Sequence, residues 1–218
     1  MTTAIIGTGN LGGALARHLV AGGEAVVLAA RSDAGPQALA GELGPLAHAA
    51  SVKDAMTAGE TVVLALWLDA TRELLAQHAR LLEGKVVIDP SNPIGFDDDG
   101  RMIRTLPDGQ SAGSIVAALL PAGAYYVKAF GTLGADSLAT SAHREPRVAL
   151  FFATDESAAA TEIERLIRVA GFEPVQVGGV AQASRLEGPD GPLSQGGLNG
   201  ALLDLDQART VLAKGVPA

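Results

Sequence analysis

The feature that most constrains the fold is a run of glycines close to the start of the chain. Gly7, Gly9 and Gly12 have the spacing G-x-G-x-x-G, and the apolar residues from Thr3 to Ile6 precede them as a short strand would. Residues 11–21 then carry apolar side chains at the spacing of a helix. The glycines are therefore predicted to form the turn between the first strand and the first helix of a βαβ unit.

At this spacing each glycine has a mechanical role. The first permits a tight turn, the second lets a pyrophosphate approach the backbone, and the third allows the helix to pack closely on the strand. The free N–H groups of the helix N-terminus would then face the phosphates. A purely structural turn would use the same residues, but the strand, turn and helix context favours a dinucleotide site. The predicted phosphate-binding residues are Gly7, Thr8, Gly9, Asn10, Leu11 and Gly12.

Strands and helices are predicted to alternate along most of the chain. The predicted strands beyond the first cover residues 24–30, 61–66, 85–89, 124–130, 147–154 and 174–177. The predicted helices beyond the first cover residues 36–43, 52–58, 71–82, 111–119, 157–170, 181–186 and 199–212. This alternation predicts an α/β fold with a Rossmann-type, doubly wound, mostly parallel sheet and a small C-terminal helical subdomain.

The end of the second predicted strand distinguishes the two nicotinamide dinucleotides. An NAD site usually has Asp or Glu here to bind the ribose hydroxyls, whereas an NADP site prefers a cation for the 2′-phosphate. This chain has Arg31 followed by Ser32, which can supply a guanidinium and a hydroxyl donor. The pair favours NADP over NAD, although a solvated loop arginine partly neutralised by Asp33 would give the same pattern.

The length of the chain limits its domain organisation. At 218 residues it is short for two domains of equal size. We predict an NADP-binding Rossmann domain over residues 1–155. Residues 156–218 are predicted to form an extension packed on the same sheet, which would border a cleft for a second substrate and offer a dimer contact.

Composition excludes several classes of function. The formal net charge is −8 and basic residues form no long run, so nucleic acid is not an expected partner. The chain has no cysteine, which rules out disulfides, thiolate catalysis and Cys-ligated metal, and no other metal site is predicted. No run of about 18 apolar residues and no basic leader is present, so we predict a cytoplasmic protein without membrane contact.

Four segments together resemble one known family. They are GTGNLG at the first turn, AARS at residues 29–32, DPSNP at residues 89–93 and VKAFGT at residues 127–132. The chain resembles the NADP oxidoreductases that depend on the deazaflavin coenzyme F420, a family related to the oxidoreductase domain of six-transmembrane metalloreductases. The resemblance covers residues 1–155. It implies hydride transfer between NADP(H) and F420, carried out by a homodimer.

Further candidate cofactor-binding residues lie at the ends of later strands, where ligands bind in doubly wound sheets. These candidates are Leu66, Trp67, Asn92, Pro93, Lys128 and Ala129. Lys128 interrupts an apolar strand, so it is predicted to reach a carboxylate or the cofactor, or else to extend its amine to the edge of the core. No catalytic side chain is predicted, because hydride transfer between two rings requires positioning rather than a covalent nucleophile.

The second substrate stays open at this point. The chain departs from the family pattern at Ala30 and Gly131, where the family usually has Ser and Asn. An NADPH-dependent reductase of a flavin, or of a small carbonyl or imine substrate, would use the same nucleotide site. A sensor or scaffold protein that binds NADP without turnover would also contain it.

Overall fold

The computed structural model describes residues 2–214, so residues 1 and 215–218 of the two predicted domains lie outside the described part. The strands are β1 (Thr2–Ile6), β2 (Ala25–Ala29), β3 (Ala47–Ala49), β4 (Thr61–Leu64), β5 (Val86–Asp89), β6 (Ile94–Phe96), β7 (Met102–Arg104), β8 (Tyr125–Lys128), β9 (Ala149–Phe152) and β10 (Glu173–Gln176). The helices are α1 (Asn10–Ala21), α2 (Ala34–Leu43), α3 (Val52–Ala58), α4 (Leu68–His78), α5 (Ala112–Leu119), α6 (Ala135–Ser141), α7 (Ser157–Val169) and α8 (Leu205–Lys214). Short 3₁₀ segments cover Ala79–Leu82 and Val180–Leu186.

Six of the strands form one parallel sheet in the order β3-β2-β1-β4-β5-β8. The first strand, β1, has β2 on one side and β4 on the other, so the direction of strand addition reverses beside it. The carboxyl ends of all six strands meet at one edge, and the crevice for a ligand opens at the reversal point. This arrangement confirms the predicted α/β, Rossmann-type fold.

Helices cover both faces of the sheet, as a doubly wound topology requires. On one face, Leu15 and Leu19 of α1 share a buried cluster with Ile163 and Leu166 of α7. On the other face, α3, α4 and α5 contribute to a second buried cluster. Burial of each leucine contributes about 1.5–3 kcal/mol. Helix α7 is therefore part of the core that holds β1 in place.

An ion pair fixes α7 against the amino end of the sheet. Arg165 Nη1 donates to Glu24 Oε2 at 2.7 Å, and the hydroxyl of Thr3 in β1 donates to Glu24 Oε1 at 2.8 Å. Burial acts to raise the pKa of Glu24, but the hydrogen bonds from Arg165 and Thr3 outweigh it and hold that pKa below its usual value. The network joins β1, the start of β2 and α7 at one point.

Four short elements are missing from the sequence-based prediction. Edge strand β3 has only three residues, helix α6 follows β8, and the hairpin of β6 and β7 occupies a segment rich in Pro, Gly and Asp. A strand of three residues, such as β3, β6 or β7, contains too few positions to establish an apolar period. Their formation depends on pairing and packing with distant segments.

The last two strands do not lengthen the main parallel sheet. Strands β9 and β10 pair in parallel with each other, and a single antiparallel bridge joins Lys128 of β8 to Ala153. Because β9 approaches β8 in the antiparallel sense, it does not continue the parallel ladder. The terminal helix begins at Leu205 rather than near residue 199, since Leu203 O accepts a hydrogen bond from Ala149 N of β9.

Candidate functional site

The glycine turn after β1 has two crowded positions and one open position. A Cβ atom built on Gly12 would overlap the carbonyl oxygen of Gly7 and lie 3.0 Å from Cβ of Ala65. Gly7 has φ 104°, a conformation that favours glycine, and its N–H donates to Ala29 O at 2.7 Å. A Cβ atom on Gly9 would meet nothing within 4 Å. The turn is closed by packing on both sides, whereas the backbone at Gly9 stays open to a ligand.

The open position coincides with the N-terminus of α1. Gly9 is the N-cap residue and has no side chain to accept from the first N–H groups of the helix. Asn10 is exposed, and Thr8 and Leu11 are half-buried on either side. The free N–H groups and the helix dipole, equivalent to about half a positive charge, make this end of α1 suitable for an anion. The residues predicted for the phosphate turn lie together here.

The end of β2 brings a cation to the same edge of the sheet. Arg31 and Ser32 are exposed in the loop between β2 and α2. Within residues 2–214, Arg31 forms no salt bridge. A cavity of about 200 Å³ beside this loop is lined in part by Asp33, Pro36 and Ser51. The exposed guanidinium is available to a phosphate, as the NADP prediction requires.

Two aromatic side chains stand exposed beyond the carboxyl end of β4. Trp67, which directly precedes α4, is 62% exposed, and Phe96 of the β6–β7 hairpin is 58% exposed. Their ring centroids lie 6.4 Å apart with an interplanar angle of 78°, an edge-to-face contact. Leu66, the residue before Trp67 in the chain, is half-buried. The sequence predicts Leu66 and Trp67 as site residues but contains no signal for Phe96, because its strand is too short to be recognised.

Asn92 and Pro93 lie at the end of β5, but the amide of Asn92 is already engaged. Its Nδ2 donates to the carbonyl of Gly131 at 2.8 Å, and its Oδ1 accepts from Gly188 N at 3.0 Å. Pro93 is buried. These bonds join the loop after β5, the loop after β8 and the C-terminal segment. Asn92 therefore shapes this edge of the sheet, with one N–H and one lone pair left for a ligand.

Lys128 is buried in a charged network and does not lie on the surface of the edge. Its Nζ lies 3.1 Å from Asp89 Oδ2 and 3.9 Å from Glu187 Oε1, and all three side chains are buried. Tyr126 donates to Asp89 Oδ2 at 2.8 Å. Burial, together with the charge of Asp89, raises the pKa of Tyr126 well above its usual value. Of the partners predicted for Lys128, the structure shows carboxylates, and Ala129 beside it is buried as well.

Glu187 is a site-forming residue that the sequence does not reveal. It follows the 3₁₀ segment Val180–Leu186, and its carboxylate accepts from Ser111 Oγ at 2.6 Å, from Ala112 N at 3.1 Å and from Gly113 N at 2.8 Å. A carboxylate at the N-terminus of a helix, here α5, is stabilised by the helix dipole. No local pattern could identify it, because its partners are distant in sequence.

The C-terminal segment crosses the carboxyl edge after Glu187. Gln195 N donates to Thr132 O at 2.7 Å, while its side chain accepts from Gly134 N at 2.9 Å and donates to Ser137 Oγ at 2.9 Å. Residues 187–200 are therefore bound to the loops after both β5 and β8. They border the half of the edge that lies on the opposite side of β1 from Arg31.

A larger cavity of about 560 Å³ begins at the glycine turn and runs between α1, α2 and α6. Gly9 and Asn10 line one end, and Asp136 of α6 lines another side. The exposed ion pair of Arg17 and Glu42, 2.7 Å apart, also lines it. The N-terminus of α1 is thus reached from solvent along this helix.

Among residues 2–214, no group of three or more His, Asp or Glu side chains is placed to hold a metal ion. No helix in this part of the chain is both long and apolar enough to cross a bilayer. Among these residues, the groups exposed near the carboxyl edge include the guanidinium of Arg31 and the rings of Trp67 and Phe96.

Comparison with known proteins relates the nucleotide half of the chain to one family. A family model described as NADP oxidoreductase coenzyme F420-dependent matches residues 2–93. Metalloreductase STEAP3 of Rattus norvegicus is 28% identical over 183 residues, which make up 84% of this chain and 35% of that protein. The chain thus spans about a third of the length of this curated relative.

Two solved structures extend the likeness over most of the chain. A protein from Arthrobacter sp. FB24, provisionally described as an F420-dependent NADP-reductase, has a TM-score of 0.73 at 24% identity over 84% of this chain and 87% of that one, which is evidence of the fold. A hypothetical protein from Sinorhizobium meliloti has a TM-score of 0.79 at 30% identity over 94% of this chain and 95% of that one. The match to the family model includes the glycine turn and the ends of β2, β4 and β5, so residues 2–93 are similar to the NADP oxidoreductases described as coenzyme F420-dependent.

Proposed function

We propose that this chain is an NADP-dependent oxidoreductase that transfers hydride between NADP(H) and the deazaflavin coenzyme F420. The observation that carries the proposal is the open backbone at Gly9 between the crowded positions Gly7 and Gly12. Packing explains why the outer two residues are glycines, but it does not explain the middle one. A phosphate group that must approach the helix N-terminus does explain it.

The nucleotide is proposed to lie across the carboxyl edge of the sheet, with its pyrophosphate at the N-terminus of α1. Arg31 and Ser32 would bind the 2′-phosphate, which places the adenosine half over β2. The nicotinamide half then extends to the other side of β1, over β4 and β5. When bound, NADPH supplies a hydride from its nicotinamide ring, and the residues of this chain bind and orient that ring.

The exposed aromatic pair supports a flat acceptor. Trp67 and Phe96 lie on the same side of β1 as the proposed nicotinamide position, and aromatic rings bind planar conjugated molecules through their faces and edges. Hydride transfer needs the two reacting carbons to be held about 3–3.5 Å apart, so a surface that aligns a ring favours the reaction. Covering the pair also keeps water away from the rings. A small carbonyl or imine substrate would leave most of this surface bare.

The first test is anaerobic mixing of the purified protein with NADPH and oxidised F420, with NADH and an ordinary flavin as parallel reactions. Stoichiometric loss of the nicotinamide and deazaflavin absorbance bands is the expected result. Oxidation of NADPH by the flavin, or by a carbonyl or imine, with F420 unchanged would replace the proposed acceptor with that substrate. Binding of NADPH without oxidation by any acceptor would favour a sensor or scaffold.

Trp67 offers a second test, in which binding of the acceptor is measured by fluorescence as well as through turnover. It is the only tryptophan of the chain, so protein fluorescence reports on this one position. F420 is expected to quench its emission in a saturable manner, with free N-acetyltryptophanamide as the control for light absorption by the coenzyme. Trp67→Leu is expected to raise the KM for the acceptor while the Kd for NADPH stays unchanged. Turnover of F420 with unaltered Trp67 emission would contradict the aromatic acceptor site.

The homodimer and the cytoplasmic location stay predictions. The exposed side chains of Met102 and Ile103 support a contact between copies at the β6–β7 hairpin, which lies outside residues 156–218, where the sequence predicts the dimer contact. Size-exclusion chromatography with light scattering measures the mass directly. A monomer at all accessible concentrations would contradict the predicted dimer without affecting the nucleotide site.

A further inference from the structure

Two buried hydroxyl groups at the carboxyl edge have no partner within the protein. In the range 2–214, the buried side-chain oxygens without a hydrogen bond are Oγ of Ser91, Oγ1 of Thr132 and Oγ1 of Thr71. Ser91 follows β5 and Thr132 follows β8, and these two strands are neighbours in the sheet. A buried hydroxyl that makes no hydrogen bond destabilises the protein, so two in adjacent loops require an explanation.

The two loops that carry these hydroxyls are in direct contact. Asn92, next to Ser91, donates from Nδ2 to the carbonyl of Gly131, next to Thr132, at 2.8 Å. A Cβ atom on Gly131 would overlap the carbonyl oxygen of Pro90. The loops therefore pack backbone against backbone, and the two hydroxyl-bearing residues belong to one local unit.

Hydrogen bonds hold the backbones of Ser91 and Thr132 in place, whereas their hydroxyls have no such bond. Ser91 N donates to Asp89 Oδ1 at 2.8 Å, and Ser91 O accepts from the ammonium of Lys128. Thr132 O accepts from Gln195 N at 2.7 Å. Fixed backbone positions with unpaired side-chain oxygens are typical of a prepared binding site, in which the polar groups are oriented before the ligand arrives.

The accessible surface of Ser91 and Thr132 differs from that of Thr71, the third residue with an unpaired hydroxyl. Ser91 and Thr132 each keep 4% of their surface accessible, whereas Thr71 in α4 keeps 0%. In the first two, a rotation about the single χ1 bond moves the oxygen without moving the backbone. Thr71 has no accessible side to turn to, so it serves as an internal comparison for a hydroxyl that is buried for packing alone.

We infer that the hydroxyls of Ser91 and Thr132 bind the carboxamide group of the nicotinamide ring. The inference rests on the nucleotide-binding part of the proposed function. With the pyrophosphate at β1 and the 2′-phosphate at Arg31 over β2, the nicotinamide half lies over β4 and β5, and its carboxamide is directed toward β8. A carboxamide has both a carbonyl acceptor and N–H donors, and a hydroxyl can donate to the first and accept from the second.

The test compares Ser91→Ala and Thr132→Val with Thr71→Val as the matched control. Thr→Val keeps the shape of the side chain and removes only the hydroxyl. Each variant is titrated calorimetrically with NADP⁺ and with adenosine 2′,5′-bisphosphate, which has the 2′-phosphate but no nicotinamide. Thermal unfolding without ligand is measured in parallel.

The expected result is weaker NADP⁺ binding in Ser91→Ala and in Thr132→Val, by about 2- to 12-fold for each lost hydrogen bond. Their affinity for adenosine 2′,5′-bisphosphate stays unchanged, and Thr71→Val binds both ligands as the parent does. All three variants keep or raise their unfolding temperature without ligand, because an unpaired buried oxygen is removed.

Two results would overturn the inference. Unchanged NADP⁺ affinity in both Ser91→Ala and Thr132→Val would show that these hydroxyls are buried for packing, as Thr71 is. Equal loss for NADP⁺ and adenosine 2′,5′-bisphosphate would show a general effect on the site. Neither result bears on whether F420 accepts the hydride, and failure of F420 to react leaves these titrations fully informative.

Discussion

The glycine turn permits a direct separation of a folding requirement from a binding requirement. Gly12→Ala and Gly9→Ala introduce the same methyl group, three residues apart, into opposite environments. At Gly12 the new Cβ overlaps a backbone oxygen that cannot move away, whereas at Gly9 it meets nothing within 4 Å. Gly41→Ala in α2, where a Cβ also meets nothing within 4 Å, is the matched control remote from the turn.

The expected magnitudes differ accordingly. Overpacking at Gly12 is expected to cost about 1–3 kcal/mol of unfolding free energy, or about 2–12 °C in Tm for a chain of this size. At Gly9 the backbone has φ −71° and ψ −163°, which alanine adopts freely, and loss of the N-cap preference is offset by reduced unfolded-state entropy, so stability changes by less than about 1 kcal/mol. The methyl group at Gly9 blocks the phosphate approach. Loss of one charge-assisted hydrogen bond corresponds to about 10- to 150-fold weaker binding.

The assay is a urea denaturation series and a calorimetric NADPH titration on all three variants. Gly9→Ala should fold as the parent does and bind NADPH poorly, Gly12→Ala should lose stability, and Gly41→Ala should leave binding unchanged. Parent-like NADPH affinity in Gly9→Ala would falsify the placement of the pyrophosphate. Parent-like stability in Gly12→Ala would refute the close contact of α1 with the turn.

Three further outcomes follow from the charged groups. Arg31→Ala is expected to weaken NADPH binding by about 10- to 150-fold and to leave NADH binding unchanged, and equal losses for both nucleotides would contradict a 2′-phosphate contact. Lys128→Met leaves two buried carboxylates without a cation, so urea denaturation should show a loss of about 3–5 kcal/mol, and a parent-like midpoint would contradict the network. Burial acts to raise the pKa of Glu24, but Arg165 and Thr3 lower it overall, so its contribution to stability is complete above about pH 4.5 and declines as the pH falls through the lower folded-state pKa. Glu24→Gln should therefore flatten the acid side of the urea-midpoint profile, and an unchanged profile would count against the ion pair.

The parts of the site that the sequence predicts are those that depend on local pattern. Gly7, Gly9 and Gly12 are recognisable because a turn from strand to helix imposes their spacing over a few residues. Arg31 and Trp67 are recognisable because each directly follows an apolar strand, and the carboxyl ends of parallel strands share one edge. The fold follows from the same alternation of strands and helices.

The parts that escape prediction depend on register and on distant segments. A lysine within the apolar strand β8 requires a partner, and the sequence predicts this much for Lys128. The identity of one partner, Asp89, depends on the register of β5 with β8, which places the two residues side by side. The other, Glu187, comes from the irregular C-terminal segment. Phe96 escapes for a related reason, since its strand forms only by pairing with β7.

The polar groups at the carboxyl edge divide according to whether the protein already uses them. Lys128 and Asn92 bond to protein groups that join β5, β8 and the C-terminal segment, so they maintain the shape of the edge. The start of α1 at Gly9 has no side-chain cap and Arg31 is exposed, so the N–H groups and the guanidinium are open to a ligand. In the proposed binding mode, these groups bind the phosphates, and recognition of the nucleotide depends chiefly on them. On the proposed nicotinamide side, the unpaired hydroxyls and the aromatic pair would orient the rings, and hydride transfer requires this orientation more than it requires affinity.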